Sequence, residues 1–158
     1  MIFRRTQVDF IFPYTIAKED GEFLITFPDI PEALTSTHTS VDINATAYDC
    51  LIAALGGYID DRRDIPEPSP KSSTQEIVVI PQLMAAKLSL YIAMRREGMT
   101  NVDLAQRLNV DEKIVRRMLD LDYSTKIQSI SNALQNVFSE SYQLITSLDI
   151  SSGDSAKL

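Results

Sequence analysis

Three cations carry the strongest chemical signal in this chain. Lys113, Arg116 and Arg117 lie in the run DEKIVRRML, and at about 100° per helical residue they share one arc, with Ile114, Val115, Met118 and Leu119 on the other side. A charged helix face usually only meets solvent. Here the position matters, because the run follows a first short helix across a tight turn. Thr100 and Asp103 form a capping box, Leu104, Ala105 and Leu108 continue that helix, and Asn109 tolerates the left-handed backbone that a sharp turn needs. The small Ala105 admits a close neighbour, and Asp111 caps the second helix. Gly98 to Leu119 therefore reads as a helix-turn-helix that docks on DNA, with Lys113, Arg116 and Arg117 on base edges. Asn101, and Ser124, Thr125 and Lys126 at the start of the next helix, are placed to meet phosphates.

Other reactive residue types are sparse and poorly grouped. His38 is the single histidine and sits in the polar run TSTHTS, which reads as a surface loop. Asp29, Asp49, Asp60, Asp61 and Asp64 could be imagined as Mg²⁺-binding carboxylates of a small nuclease, which needs two or more to converge. Their setting points elsewhere: Asp60, Asp61 and Asp64 alternate with Arg62 and Arg63 at a helix end, and Asp29 lies between prolines in a turn. There is no glycine-rich phosphate loop. Cys50, without Cys or His companions at metal spacing, reads as a small core residue. An enzyme is not expected, and neither a cofactor nor a metal is implied.

The elements that position the cations are legible on both sides. Pro81 opens and Gly98 closes a helical segment with Leu83, Lys87, Leu90 and Met94 along one stripe and Met84, Leu88, Tyr91 and Ile92 beside it. After the polar loop DLDYS, Thr125 and Gln128 suggest a further capping box, and Ile127, Ile130, Leu134 and Val137 recur at helical spacing. Four helices therefore fit between Pro81 and Phe138. The apolar tail SESYQLITSLDI is expected to form a strand or arm that pairs with a second copy, and SSGDSAKL, residues 151–158, to be disordered.

The front of the chain has a different rhythm. Asp9 to Ala17, the Asp-Gly turn in KEDGE, and EFLITF predict a β-hairpin. Pro28 and Pro31 interrupt pairing before a short third strand at Ala33 to Ser36. Thr39 and Asp42 resemble a capping box ahead of a helix of about five turns, with Val41, Ala45, Tyr48, Leu51, Ile52, Leu55, Tyr58 and Ile59 as its stripe. Gly56 and Gly57 within it imply close backbone packing or an early end. DRRDIPEPSPKSS favours an extended polyproline-like path, and Glu76 to Ile80 a covered strand. The fold class is α+β: a front domain, residues 1–80, with one helix on a small sheet, and an all-α rear domain, residues 81–150.

Charge divides in the same way. The net charge is −7, yet residues 1–80 hold 6 basic and 13 acidic groups while residues 81–138 hold 8 and 6. An acidic front and mildly basic rear suit a cationic partner and nucleic acid respectively. No apolar run approaches the roughly 20 residues needed to span a bilayer, and the start MIFRRTQVDFIFPYT lacks a signal-peptide core, so a cytoplasmic location is expected.

The segments YTIAKEDGEFLITFPDIPEALTS (Tyr14 to Ser36), AYDCLIAAL (Ala47 to Leu55) and IPEPSP (Ile65 to Pro70) resemble, in order and spacing, the HicB antitoxin family. The rear helix pair is similar to the variant with a DNA-binding domain of the Cro/repressor type, and the resemblance covers about residues 10–138. It implies a partial ribonuclease-H-like front domain without a working active site. It also implies a partner, a HicA-type toxin, a small basic protein with a double-stranded-RNA-binding-like fold that cleaves mRNA. Family members cover the toxin's active site, form dimers or tetramers, and repress their own operon through the rear domain. The hairpin and the PDIPEA turn, including Asp29 and Glu32, are the expected toxin-facing surface. Two other readings stay open at this point: a solitary transcription regulator whose front domain senses or oligomerises, and a metal-dependent nuclease using Asp29 and Asp49.

Overall fold

The computed structural model describes residues 10–138; the expected C-terminal arm and disordered end lie outside them. Strands β1 (Ile11–Glu19), β2 (Glu22–Thr26), β3 (Leu34–Thr37) and β4 (Glu76–Val79) form one antiparallel sheet in the order β3-β2-β1-β4. Helix α1 (Ile43–Asp60) precedes β4, and α2 (Gln82–Arg96), α3 (Asn101–Leu108), α4 (Glu112–Leu119) and α5 (Ile127–Phe138) follow. Among the described residues no helix is long and apolar enough to cross a membrane.

Turn chemistry sets the hairpin register. Asp20 (φ 47°) and Gly21 (φ 84°) both take left-handed backbone, as a two-residue turn with the twist of its flanking strands demands. Glu19 then faces Glu22, and Ile16 faces Ile25. Phe12, Tyr14, Ile25 and Val78 are buried with Ala47, Leu51, Ile52, Leu55 and Tyr58 of α1 in a single core. The Tyr14 hydroxyl donates to Asn44 Oδ1 at the start of that helix. Prolines 28 and 31 flank a turn that buries Phe27, Ile30 and Ala33, with the Ala33 amide donating to Ile30 O at 2.9 Å.

Several local expectations are corrected. A 3₁₀ turn at Ser40–Asp42 uses up the residues expected to open α1, and Thr39 Oγ1 donates to the Asp42 carboxylate at 2.6 Å instead of capping a backbone amide. The stripe is rephased accordingly: Val41 is 89% exposed, Ala45 is exposed, and Ala47 is buried. Neither explanation offered for Gly56 and Gly57 holds, because α1 runs through both to Asp60 and a Cβ on either meets nothing within 4 Å. β3 is displaced by one residue toward Thr37. Among the described residues β4 is an edge strand paired with β1 alone, covered on one face only: Val78 points into the core while Val79 is 59% exposed. The Thr125 and Gln128 capping box gives way to other bonds. Thr125 Oγ1 donates to Arg117 O, the Gln128 amide donates to Asn132 Oδ1, and α5 begins at Ile127.

α2 belongs to two cores. Leu88 is buried with the sheet and α1, supported by half-buried Met84, Ala85 and Ile92. Ala86, Leu90, Tyr91, Ala93 and Met94 are buried with Leu104, Val115, Met118, Ile130 and Leu134. Of the two stripes expected on this helix, Met84, Leu88 and Ile92 face the sheet and α1 while Leu83, Leu90 and Met94 face the helices; Tyr91, expected beside Leu88, is buried with the helices instead. The Tyr91 hydroxyl adds a polar tie, donating to Arg63 O at 2.6 Å just past the end of α1.

A second tie joins the proline turn to the end of α1. Tyr58 donates to Glu32 Oε2 at 2.7 Å, Arg63 donates to Glu32 Oε1 at 2.6 Å, and the Arg63 guanidinium lies 4.0 Å from the Tyr58 ring centroid. The Tyr58 bond, then the Arg63 bond, lowers the Glu32 carboxyl from 4.5 to about 2. A carboxyl held below its unfolded value stabilises the fold above that unfolded value and ceases to do so as pH falls through the folded one.

Two measurements test this architecture. Leu88→Ala should cost about 2–5 kcal/mol in urea unfolding, while leaving a single transition if α2 couples the cores. Acid titration of the wild type followed by circular dichroism should show stability declining between pH 4.5 and about 2, the window of Glu32. Glu32→Gln should flatten that portion of the profile.

Candidate nucleic-acid interface

The geometry of the helix pair comes from three side chains acting on local backbone. Thr100 Oγ1 accepts from the Asp103 amide at 3.2 Å, and the Asp103 carboxylate accepts from the Thr100 amide at 2.8 Å, completing the capping box at the start of α3. The Thr100 hydroxyl, donating to the same carboxylate at 2.6 Å, and then the Thr100 amide hold the Asp103 carboxyl below its ordinary range. Asn109 ends α3 in left-handed backbone (φ 54°, ψ 48°), turning the chain sharply, and Asp111 Oδ1 accepts from the Lys113 amide at 2.7 Å to open α4. Leu104 and Ala105 of α3 pack with Val115, Met118 and Leu119 of α4.

With that face buried, α4 carries its cations outward, each in a different state. Lys113 and Arg116 are exposed, whereas Arg117 is half-buried. Arg116 forms a two-point bond to Glu112 one turn earlier, at 2.9 and 3.1 Å. Such an exposed helical pair contributes only about 0.3–0.5 kcal/mol, so the guanidinium exchanges it easily for another anion. Arg117 lies over the ring of Tyr123, 5.0 Å from its centroid. Ile114, expected on the packed side, is 37% exposed, since it sits at the margin of the buried arc.

Behind α4 stands a feature that composition did not single out as functional. Lys87 of α2 has no exposed surface. Its ammonium donates to Arg117 O at 3.0 Å, Asp120 O at 2.5 Å and Tyr123 O at 2.5 Å, with Thr125 Oγ1 at 3.2 Å. Burial lowers the Lys87 pKa, partly opposed by the Asp120 carboxylate. The carbonyls at the end of α4 lack helical donors, and a cation there also meets the negative end of the helix dipole. The signal available in the sequence was a lysine on an otherwise apolar stripe.

The expected phosphate contacts divide. Ser124 and Lys126 are exposed ahead of α5, and Asn101 is half-exposed as the first residue of α3. Thr125 is turned inward, its hydroxyl engaged with Arg117 O at 3.1 Å and with Lys87. Of the front carboxylates, Glu32 is the one already tied to Tyr58 and Arg63. Asp29 accepts from the Ser69 amide at 2.9 Å and its hydroxyl at 3.0 Å, pinning the PEPSP segment to the PDIPEA turn. Glu32 is exposed and Asp29 half-buried, and both organise the surface around them. Asp64 pairs with Arg95 at 2.8 Å, and His38 lies 3.3 Å from Glu22 on the surface. Burial raises the Cys50 thiol pKa. Among the described residues no group of three or more His, Cys, Asp or Glu converges as a metal site.

Comparison with known proteins bears on the front half most directly. The family model of HicB-like antitoxins of bacterial toxin-antitoxin systems matches residues 10–89. That span starts where the sheet begins and ends just beyond Leu88, the α2 side chain buried against it. Antitoxin HicB 2 of Photorhabdus laumondii is 37% identical over 123 residues, 78% of this chain and 87% of the relative. Antitoxin HicB 1 of the same organism is 34% identical over 139 residues, 87% of this chain and 86% of the relative. Antitoxin HicB of Escherichia coli K12 is 32% identical over 123 residues, 77% of this chain and 89% of the relative. With the sheet, the proline turn and the start of α2 all inside the matched segment, the chain belongs to the family of HicB-like antitoxins of bacterial toxin-antitoxin systems.

Proposed function

We propose that this chain is an antitoxin that binds and neutralises a HicA-type toxin, and that it represses its own operon through α3 and α4 acting as a helix-turn-helix. The role is regulatory and non-catalytic. The observation that carries the DNA reading is the outward arc of Lys113, Arg116 and Arg117 on a helix whose other side is locked in the rear core. In this reading α4 enters the major groove and those three side chains meet base edges. Asn101, Ser124 and Lys126 lie on phosphates, and the free amides at the start of α5 add to them. Thr125 serves this surface from within, by holding the loop.

The front domain faces the toxin. Its excess of carboxylates suits a small basic protein and would speed capture through long-range attraction. Asp29 and Glu32 belong to that surface in this reading, and their bonds to Ser69, Tyr58 and Arg63 keep it in one shape before the toxin arrives. The chain self-associates, since a helix-turn-helix commonly reads two half-sites as a dimer.

Gel shifts on the DNA upstream of this chain's own gene test the reading face. Arg117→Ala should cost about 1–3 kcal/mol, concentrated at one operator position, and Lys126→Ala should weaken binding evenly across sequences. Unchanged shifts with Arg116→Ala and Arg117→Ala combined would overturn the assignment of α4. For the toxin, the chain expressed from its native operon should co-purify with a small basic protein whose RNA cleavage it suppresses; purification without one would refute the antitoxin half.

A further inference from the structure

Arg117 differs from the other two cations of α4 in being mounted. Its guanidinium lies over the Tyr123 ring, and that ring returns from a loop six residues downstream. The backbone carbonyls of these same two residues, Arg117 O and Tyr123 O, both accept from the buried Lys87 ammonium. Thr125 Oγ1, another neighbour of that ammonium, also donates to Arg117 O. One lysine therefore fixes the backbone on each side of the stacked pair, and the side chains close over the top. Tyr123 remains 42% exposed and Arg117 is half-buried, so the pair forms at the surface.

We propose that Tyr123, held by Lys87, is the positioning residue that sets the pose of Arg117 for reading DNA. This rests on the DNA-binding reading of α4 given above. A free arginine loses many rotamers when it meets a base edge; one already held over a ring loses fewer. A cation–π contact is not a hydrogen bond, so it does not use up the guanidinium's N–H donors. Arg116 has no such mount: its partner is a carboxylate on its own helix, which competes with DNA for the same N–H groups. Arg117 is therefore the more selective of the two arginines.

The test is a double-mutant cycle on the full chain, using a duplex from upstream of its own gene and a scrambled duplex of equal length. Tyr123→Leu should weaken binding to the upstream duplex about three- to fivefold, and Tyr123→Phe should restore most of it. In an Arg117→Ala background Tyr123→Leu should have no further effect, and the thermal midpoint should hold throughout. An equal loss from Tyr123→Leu in both backgrounds would mean that the ring contacts DNA itself or only supports the fold, and would overturn the proposal. So would an Arg117-dependent preference for the upstream duplex that Tyr123→Leu leaves intact. If the wild type shows no preference between the two duplexes, or Arg117→Ala changes nothing, the DNA reading of Arg117 fails first, and the positioning role falls with it. Lys87 is kept intact in every variant, because removing its ammonium would strip a charged donor from the Arg117, Asp120 and Tyr123 carbonyls at once and confound stability with pose.

Discussion

The rear half of the molecule is arranged around a single buried ammonium. A lysine without exposed surface is costly unless its charge is met by oxygens, and Lys87 meets four, three of them backbone carbonyls. Those carbonyls lie at the end of α4 and in the loop to α5, which carries little regular structure of its own. Arg117 O also accepts from Thr125 Oγ1 and Asp120 O from the Tyr123 amide, and the ammonium adds one charged donor common to all three carbonyls. With it, α2, α4 and the approach to α5 are joined at one point, and the outward face of α4 takes a defined angle to the rest. An apolar residue at the same position could fill the space, but it could not choose one loop path over another.

The remainder of the fold uses more ordinary means. The front sheet is closed on one face by α1, and its proline-rich connections are tied down by two carboxylates, each engaged by more than one donor. Apart from the part-buried Tyr58 bond these ties are exposed and contribute modestly to stability, but they fix the proline-rich loops. Apolar burial supplies the driving force, and the polar ties decide which of the compact arrangements is adopted.

What could be read in the sequence follows the range of the interactions. Thr100, Asp103, Asn109 and Asp111 act on backbone within three residues of themselves, and each does in the structure what its type and position predict. The Asp-Gly hairpin is legible for the same reason. The start of α1 is not, because a 3₁₀ turn shifts the helical phase and periodicity alone gives no warning of it. Whether β4 lies inside the sheet or on its edge depends on pairing partners some sixty residues away. Thr125 looks like a cap from its neighbours, yet a lysine 38 positions earlier reaches it first. Tyr123 and Lys87 escape notice because their roles exist only once distant segments meet. The three cations of α4 are two exposed and one, Arg117, half-buried, and their differing partners are not visible in the sequence.

α2 has a bearing on how such chains can be shuffled. Pro81 looks like the seam between two modules, and a breakpoint placed there would seem harmless. The sheet, however, is completed by Leu88, seven residues inside the helix, whereas Leu90 and Met94 already serve the helices behind it. Any exchange of the rear module, by recombination in nature or by fusion in the laboratory, must therefore cut α2 where the two cores interleave, since Ala86 within its first two turns is buried with the helices and Ile92 beyond them packs on the front core. A viable splice falls within the rod itself, where the incoming sequence has to continue the same helical phase; the freedom to trade one rear module for another is limited by angle as well as by chemistry.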